Sequence, residues 1–204
     1  MSHADIPAVV LAAGRSSRMG ESKAALRLPG GQTFLQRIAT ELMAGGAGSV
    51  IAVVAAHDAA TCSSPAAASL ERLRYAVNPD PDRGQLSSLQ CGLALTPDAP
   101  AVLVTLVDVP LVSRALVRAL IEAWARSGAA LVRPTRAGQH GHPMLVSQPL
   151  IGELLAAEPA STARAIVRSY ASEGVELDVQ EDGPFFDVDT PEEYRRLIES
   201  LTRP

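Results

Sequence analysis

The stretch Ala8-Val9-Val10-Leu11-Ala12-Ala13-Gly14-Arg15-Ser16-Ser17-Arg18-Met19-Gly20-Glu21-Ser22-Lys23 decides how the rest of the chain is read. Its first five residues form an unbroken apolar run of strand length, and a strand apolar on both faces belongs inside a parallel, covered sheet. From Gly14 to Lys23 the composition changes to small residues and cations, which predicts a flexible, positively charged turn at the strand's carboxyl end. Open α/β sheets bind ligands at that end. Small residues let the backbone approach a polyanion and present N–H groups, while Arg18 and Lys23 add a planar fork and a point charge. Spacing excludes two other phosphate loops. There is no G-x-G-x-x-G, and a Walker A loop needs Lys directly after its second Gly, where this chain has Glu21 after Gly20.

Outward from this loop, apolar runs of strand length alternate with segments of helical period, the pattern of an α/β fold with a mainly parallel sheet. Strands are predicted at 8–12, 50–55, 73–77, 101–107, 130–132, 144–146 and 175–179, and helices at 33–44, 86–95, 113–127 and 163–172. Segment 133–141 reads as a loop. Ser113 is the expected N-cap of its helix, and Thr190-Pro191-Glu192-Glu193 reads as a capping box opening a last helix. No linker divides the chain, so residues 1–204 are expected to form a single domain.

With 204 residues, 47% of them hydrophobic, the chain has ample apolar material for a packed core. A formal net charge of −4 argues against bulk attraction to nucleic acid, so any phosphate binding has to be local. Cys62 and Cys91 lack the spacing of a zinc site or disulfide framework and read as reduced cytosolic thiols. The longest apolar runs fall far short of the roughly 20 residues that span a bilayer. The expectation is a soluble, cytoplasmic protein that engages neither nucleic acid nor membrane.

Four further blocks carry chemistry. Asn78 precedes Gly84-Gln85-Leu86-Ser87-Ser88-Leu89-Gln90-Cys91-Gly92, in which Ser87 and Ser88 fall in the first turn of a helix, where hydroxyls and free N–H groups serve either as caps or as ligand contacts. Val104-Thr105-Leu106-Val107-Asp108-Val109-Pro110 is a buried strand that delivers one carboxylate to its carboxyl end. Mg²⁺ takes few protein carboxylates and fills its other positions with water and phosphate oxygens, so a lone Asp108 beside a phosphate loop suits it. In Phe186-Asp187-Val188-Asp189-Thr190, alternation puts Asp187 and Asp189 on the same side. Gly141-His142-Pro143 either orders a turn or offers an imidazole to a ligand. The helix arginines Arg114, Arg118 and Arg126 fit a solvated face.

The loop at 11–23 resembles the signature of the MobA-like nucleotidyltransferases, which include molybdenum-cofactor guanylyl- and cytidylyltransferases. The other blocks resemble that family's remaining segments, so the likeness covers nearly the whole chain. It implies a Rossmann-like three-layer α/β/α sandwich of the nucleotide-diphospho-sugar-transferase type, with nucleotide on the N-terminal half and acceptor on the C-terminal half. It implies nucleotide contacts from Leu11, Ala12, Ala13, Gly14, Arg15, Ser16, Arg18, Lys23, Asn78, Ser87, Ser88 and Gly92. Arg18, Lys23 and Asp108 would be catalytic. Mg²⁺, or Mn²⁺ in its place, would sit on Asp108 with Asp187, Asp189 or both, and His142 and Pro143 would meet the acceptor. The family often has Gly or Cys before this Asp; Val107 here is expected to affect packing only. Cytidylyltransferases of the family tend to carry L-A-A-G and guanylyltransferases L-A-G-G, and Leu11-Ala12-Ala13-Gly14 points to CTP, with GTP the alternative. The implied acceptor is molybdopterin, with a molybdenum hydroxylase or its chaperone as downstream partner. A sugar or polyol phosphate acceptor, or a non-catalytic maturation factor, are the rival readings.

Overall fold

The computed structural model describes residues 5–16, 18–59 and 70–202; Ser17 and Cys62 lie outside them. Eight strands form one sheet: β1 (Ala8–Ala12), β2 (Val50–Ala55), β3 (Leu73–Asn78), β4 (Ala101–Leu106), β5 (Leu131–Arg136), β6 (Gln139–His140), β7 (Met144–Ser147) and β8 (Val175–Asp178). Their order is β3-β2-β1-β4-β7-β5-β6, with β8 paired to β5. The pairs β2/β3, β1/β2, β1/β4 and β5/β8 are parallel, and β7 runs antiparallel to both β4 and β5.

Strand alternation assigns the two faces. Ala8, Val10 and Ala12 of β1 pack against α1 (Phe34–Gly45), α3 (Arg114–Ser127) and α6 (Pro191–Thr202), whereas Val9 and Leu11 face α2 (Gln85–Leu93), α4 (Gln148–Ala156) and α5 (Ala163–Ser169). The result is a three-layer α/β/α sandwich, as expected. No helix among the described residues is long and apolar enough to cross a membrane.

Local capping fixes where the helices begin. Thr33 Oγ1 accepts from Gln36 N at 3.2 Å while Gln36 Oε1 accepts from Thr33 N at 2.9 Å, a reciprocal box. Ser113 Oγ accepts from Leu116 N at 3.1 Å, and Thr190 with Glu193 forms the predicted box at α6.

Two expectations need correction and a third an addition. Segment 133–141 is not a loop: β5 continues to Arg136 and turns into β6 through Ala137 and Gly138, both at positive φ. Pro134 and the polar residues around it hide the strand from a periodicity argument. The helix α4 has no counterpart in the sequence reading because Pro149, at its first turn, resembles a breaker there, although the missing N–H costs nothing at that position. Arg114 lies on the solvated face, its side chain 57% exposed, but it also forks onto Glu41 of α1, with Nη2 donating to Oε1 at 2.7 Å and Nε to Oε2 at 3.1 Å.

Candidate active site at the carboxyl edge of β1 and β4

The loop after β1 is organised around Ser16. Its carbonyl accepts from Met19 N and Gly20 N, its Oγ accepts from Lys23 N at 3.3 Å, and it holds a φ of 45°, in the left-handed region that a non-glycine residue occupies only under constraint. The loop thereby bends back over the strand end and sends Lys23 inward. Two backbone bonds close the other side. Val107 N donates to Leu11 O at 3.0 Å, tying the end of β4 to β1, and Val188 N donates to Asp108 O at 2.8 Å, bringing the segment before α6 alongside.

Lys23 Nζ is therefore held between two carboxylates, donating to Asp189 Oδ1 at 2.6 Å and to Asp108 Oδ2 at 3.0 Å. Arg18 Nη2 reaches the other Asp189 oxygen at 3.3 Å. Burial alone lowers the Lys23 pKa, but the Asp189 hydrogen bond and the Asp108 charge outweigh it and hold the ammonium above its usual range. Asp189 is held low by the Lys23 hydrogen bond. Asp187 goes the other way: desolvation first, then the charges of Asp108 and Asp189, raise it. Asp108 Oδ1 is buried and has no hydrogen-bond partner. An orphaned carboxylate oxygen is costly, and its chemistry is that of a hard-cation ligand. Among the described residues no ready-made cluster of three metal ligands exists; Lys23 stands between the acids instead.

These groups open onto a cavity of about 330 Å³, on whose wall Leu11, Ala13, Gly14, Arg15, Ser16, Arg18, Lys23, Ser88, Asp108 and Asp189 all lie. Across its mouth Arg15 pairs with Asp82, Nε donating to Oδ1 at 2.6 Å. Pro81, Gly84, Gln85, Leu106 and Val107 complete the wall. Gly84 and Gln85 belong to one block quoted from the sequence and Leu106 and Val107 to another, but none was expected to meet a ligand, and Val107 was expected to affect packing only.

Four expected nucleotide contacts are elsewhere. Ala12 points into the core on the α1/α3 side. Asn78 is buried, and its Nδ2 donates to both Ser87 Oγ and Ser88 Oγ at 2.9 Å while its Oδ1 accepts from Asp80 N at 3.0 Å. Ser87 in turn donates to Gly84 O at 2.8 Å. Asn78 and Ser87 thus brace the turn that carries Gly84 and Gln85, while the Ser88 hydroxyl proton is left for the cavity. Gly92 is a packing position: a Cβ there would stand 2.5 Å from Val9 Cγ1, because α2 crosses β1 closely. Gly92→Ala is expected to destabilise the fold by about 1 to 3 kcal/mol through overpacking, as read by urea denaturation, with triphosphate affinity of the folded protein unchanged. Weakened nucleotide binding at unaltered stability would contradict this role.

His142 and Pro143 do not line this cavity. His142 borders a second one of about 730 Å³, which shares Gln85 and Leu106 with the first. Its Nδ1 lies 3.5 Å from Val104 O, and burial holds its imidazole below the ordinary value, hence neutral at pH 7. Pro143 is buried beside it.

A family model for the MobA-like NTP transferase domain matches residues 8–175. The molybdenum cofactor guanylyltransferase of Rhizobium meliloti (strain 1021) is 34% identical over 213 residues, covering 96% of this chain and 92% of that protein. The nicotine blue oxidoreductase of Paenarthrobacter nicotinovorans is 29% identical over 209 residues, covering 97% of this chain and all of that one. Among solved structures, Rv0371c of Mycobacterium tuberculosis H37Rv in complex with manganese superposes with a TM-score of 0.78 at 29% identity, over 96% of this chain and 99% of that one. A small and cationic loop at a strand end, a carboxylate–lysine cluster beside it and a family match over most of the length agree: the chain belongs to the MobA-like NTP transferase domain family and is a nucleotidyltransferase.

Proposed function

We propose that this nucleotidyltransferase moves CMP from CTP onto the terminal phosphate of molybdopterin, releasing pyrophosphate. The observation that carries the reading is the convergence of Lys23, Asp108, Asp189 and Arg18 on one cavity at the end of β1. In the reaction, an acceptor phosphate oxygen attacks the α-phosphorus, the bond from α-phosphorus to the bridging oxygen breaks, and pyrophosphate departs in line. A phosphate monoester has its second pKa near about 6, so the acceptor is already an oxyanion at neutral pH and needs no strong base. Arg18 and Lys23 balance the charge on the departing pyrophosphate.

Charge balance supports a divalent cation. On the cavity wall Lys23, Arg18 and Arg15 face Asp108 and Asp189, with Asp187 close behind, so the cations are already matched by acids and do not neutralise the charge a triphosphate brings. Asp108, with its orphaned oxygen, and Asp187 or Asp189 would hold Mg²⁺, or Mn²⁺ in its place; the manganese bound by the M. tuberculosis relative supports this. When bound, the ion supplies Lewis-acid polarisation of the phosphoryl oxygens.

CTP is favoured by Ala13, whose methyl group borders the cavity where the family's guanylyl members tend to have Gly. The guanylyltransferase name of the R. meliloti relative supports GTP as the second reading. Pyrophosphate release measured with molybdopterin, Mg²⁺ and each triphosphate separates them, and no release with any triphosphate would overturn the proposal. Ala13→Gly is expected to move the ratio of kcat/KM toward GTP by about tenfold, the discrimination one methyl group supports. The P. nicotinovorans relative is named an oxidoreductase, which stands against a transferase reading; the pyrophosphate-release assay decides between them.

A further inference from the structure

The second cavity is cationic out of proportion to the rest of this acidic chain. Arg133, Arg164, Arg168, His140 and His142 stand on its wall, and no carboxylate does. Arg133 comes up from β5 and is 9% exposed. Its Nη2 donates to Glu176 Oε1 at 2.6 Å, but its Nε is buried without a hydrogen-bond partner. Glu176 is shared, since His140 Nε2 lies 3.0 Å from the same oxygen. Arg164 and Arg168 sit one turn apart on α5, a spacing at which like charges destabilise a helix, and neither is ion-paired with any described residue. Three guanidiniums therefore face one carboxylate, with a buried donor unsatisfied, around a space large enough for a small fused-ring molecule.

Leu106, Met144 and Val167 supply an apolar wall in the same cavity. Gln85 and Leu106 also border the first cavity, so a molecule lying here has a path to Lys23 and Asp108. Arg164 and Arg168 do not border the first cavity. A group they hold is thus a different one from the oxygen that attacks the α-phosphorus.

We infer that Arg133, Arg164 and Arg168 form an anion subsite that holds a second acidic group of the acceptor, separate from its reacting phosphate. The inference rests on the reading above that the acceptor occupies this cavity. The acceptor class is a small molecule with a flat apolar body and anionic groups at two places. Arg133 is the buried anchor, its unsatisfied Nε–H completing a charge-assisted hydrogen bond, and the α5 pair closes over the anion from the solvent side.

The test uses the full chain labelled with ¹⁵N-arginine, saturated with a non-hydrolysable triphosphate and Mg²⁺ so that the first cavity is filled, and titrated with inorganic phosphate. The Nε–H signals of Arg133, Arg164 and Arg168 are expected to shift together, and R164Q/R168Q to abolish the Arg133 shift; absence of a shift in Arg133 overturns the subsite. In the transferase assay, R164Q/R168Q is expected to raise KM for molybdopterin by about tenfold or more, the loss of one to two charge-assisted hydrogen bonds, at unchanged triphosphate affinity, with partial recovery in R164K/R168K. An unchanged KM overturns the inference and leaves the transferase reading standing. If the wild-type protein turns over no triphosphate with molybdopterin, the acceptor assignment falls, and the phosphate titration still decides whether the subsite exists.

Discussion

Asp108→Asn is expected to lower kcat by about 10³-fold or more, the several kcal/mol that loss of a metal-anchoring charge removes from a phosphoryl-transfer transition state. The substitution is nearly isosteric. It keeps an oxygen to accept the Lys23 hydrogen bond now made by Asp108 Oδ2 at 3.0 Å, and it leaves the Val188 N to Asp108 O backbone bond untouched. What it removes is the negative charge and the orphaned Oδ1. The melting temperature should therefore hold or rise slightly while catalysis collapses. A paired measurement separates metal binding from general damage: Mn²⁺ titrated by electron paramagnetic resonance, with a non-hydrolysable triphosphate present, binds the wild-type site and not the variant. Chelation with EDTA should abolish wild-type turnover reversibly, Mg²⁺ restoring it. A variant that keeps activity within about tenfold of wild type would remove Asp108 from the chemistry.

The same geometry explains why Lys23 sits where it does before substrate arrives. With Asp108 and Asp189 on either side, the ammonium occupies the place between the acids and keeps their mutual repulsion tolerable; the same two charges, after desolvation, raise the pKa of Asp187. A triphosphate offers Lys23 a second set of oxygens. A divalent ion offers the carboxylates a second cation, so the two exchanges favour one another.

The parts of this arrangement that are local in sequence were legible without coordinates. The apolar run at 8–12, the small and cationic loop behind it, and the box at Thr190 each express their physics within a few residues. What could not be read was any contact that joins distant segments. Whether Leu11 or Ala12 faces the cavity depends on which helices cover each side of β1, and Asn78 turned out to spend its amide on Ser87 and Ser88 because the turn between them folds back. Gly92 belongs to a block that resembles a nucleotide-binding segment, yet close helix–strand approach is what requires it. The arginines of the second cavity come from β5 and α5, and from sequence Arg133 read as part of a loop and Arg164 and Arg168 as part of an ordinary helix.

A measurable stability effect is expected at another such long-range pair. Arg114, at the first position of α3, forks onto Glu41 of α1, and its backbone N also donates to Glu41 Oε2 at 3.0 Å. Glu41 is only 4% exposed, because the two helices approach so closely that a Cβ on Gly45 would stand 2.5 Å from Val117 Cβ. Arg114→Ala leaves that carboxylate with the backbone N–H and the distant Arg37, whose Nη1 is 3.8 Å away. Losing the fork leaves a buried carboxylate short of two hydrogen bonds, which destabilises, while the 57% exposure of the Arg114 side chain lets solvent screen part of the pair. The expected fall in Tm is a few degrees, on the order of 2 to 4 °C. Arg114→Lys, which keeps the charge but cannot fork, should fall between. The pH dependence has a definite sign. The Arg114 hydrogen bond holds Glu41 below its ordinary value of 4.5, so its contribution is present above that value and is lost as pH falls through the lower, folded-state one. The gap between wild type and Arg114→Ala should therefore be full at neutral pH and narrow steadily under acidification below about pH 4.5. Equal melting temperatures at pH 7, or a gap that does not change with acid, would show that the pair does not lock α1 to α3.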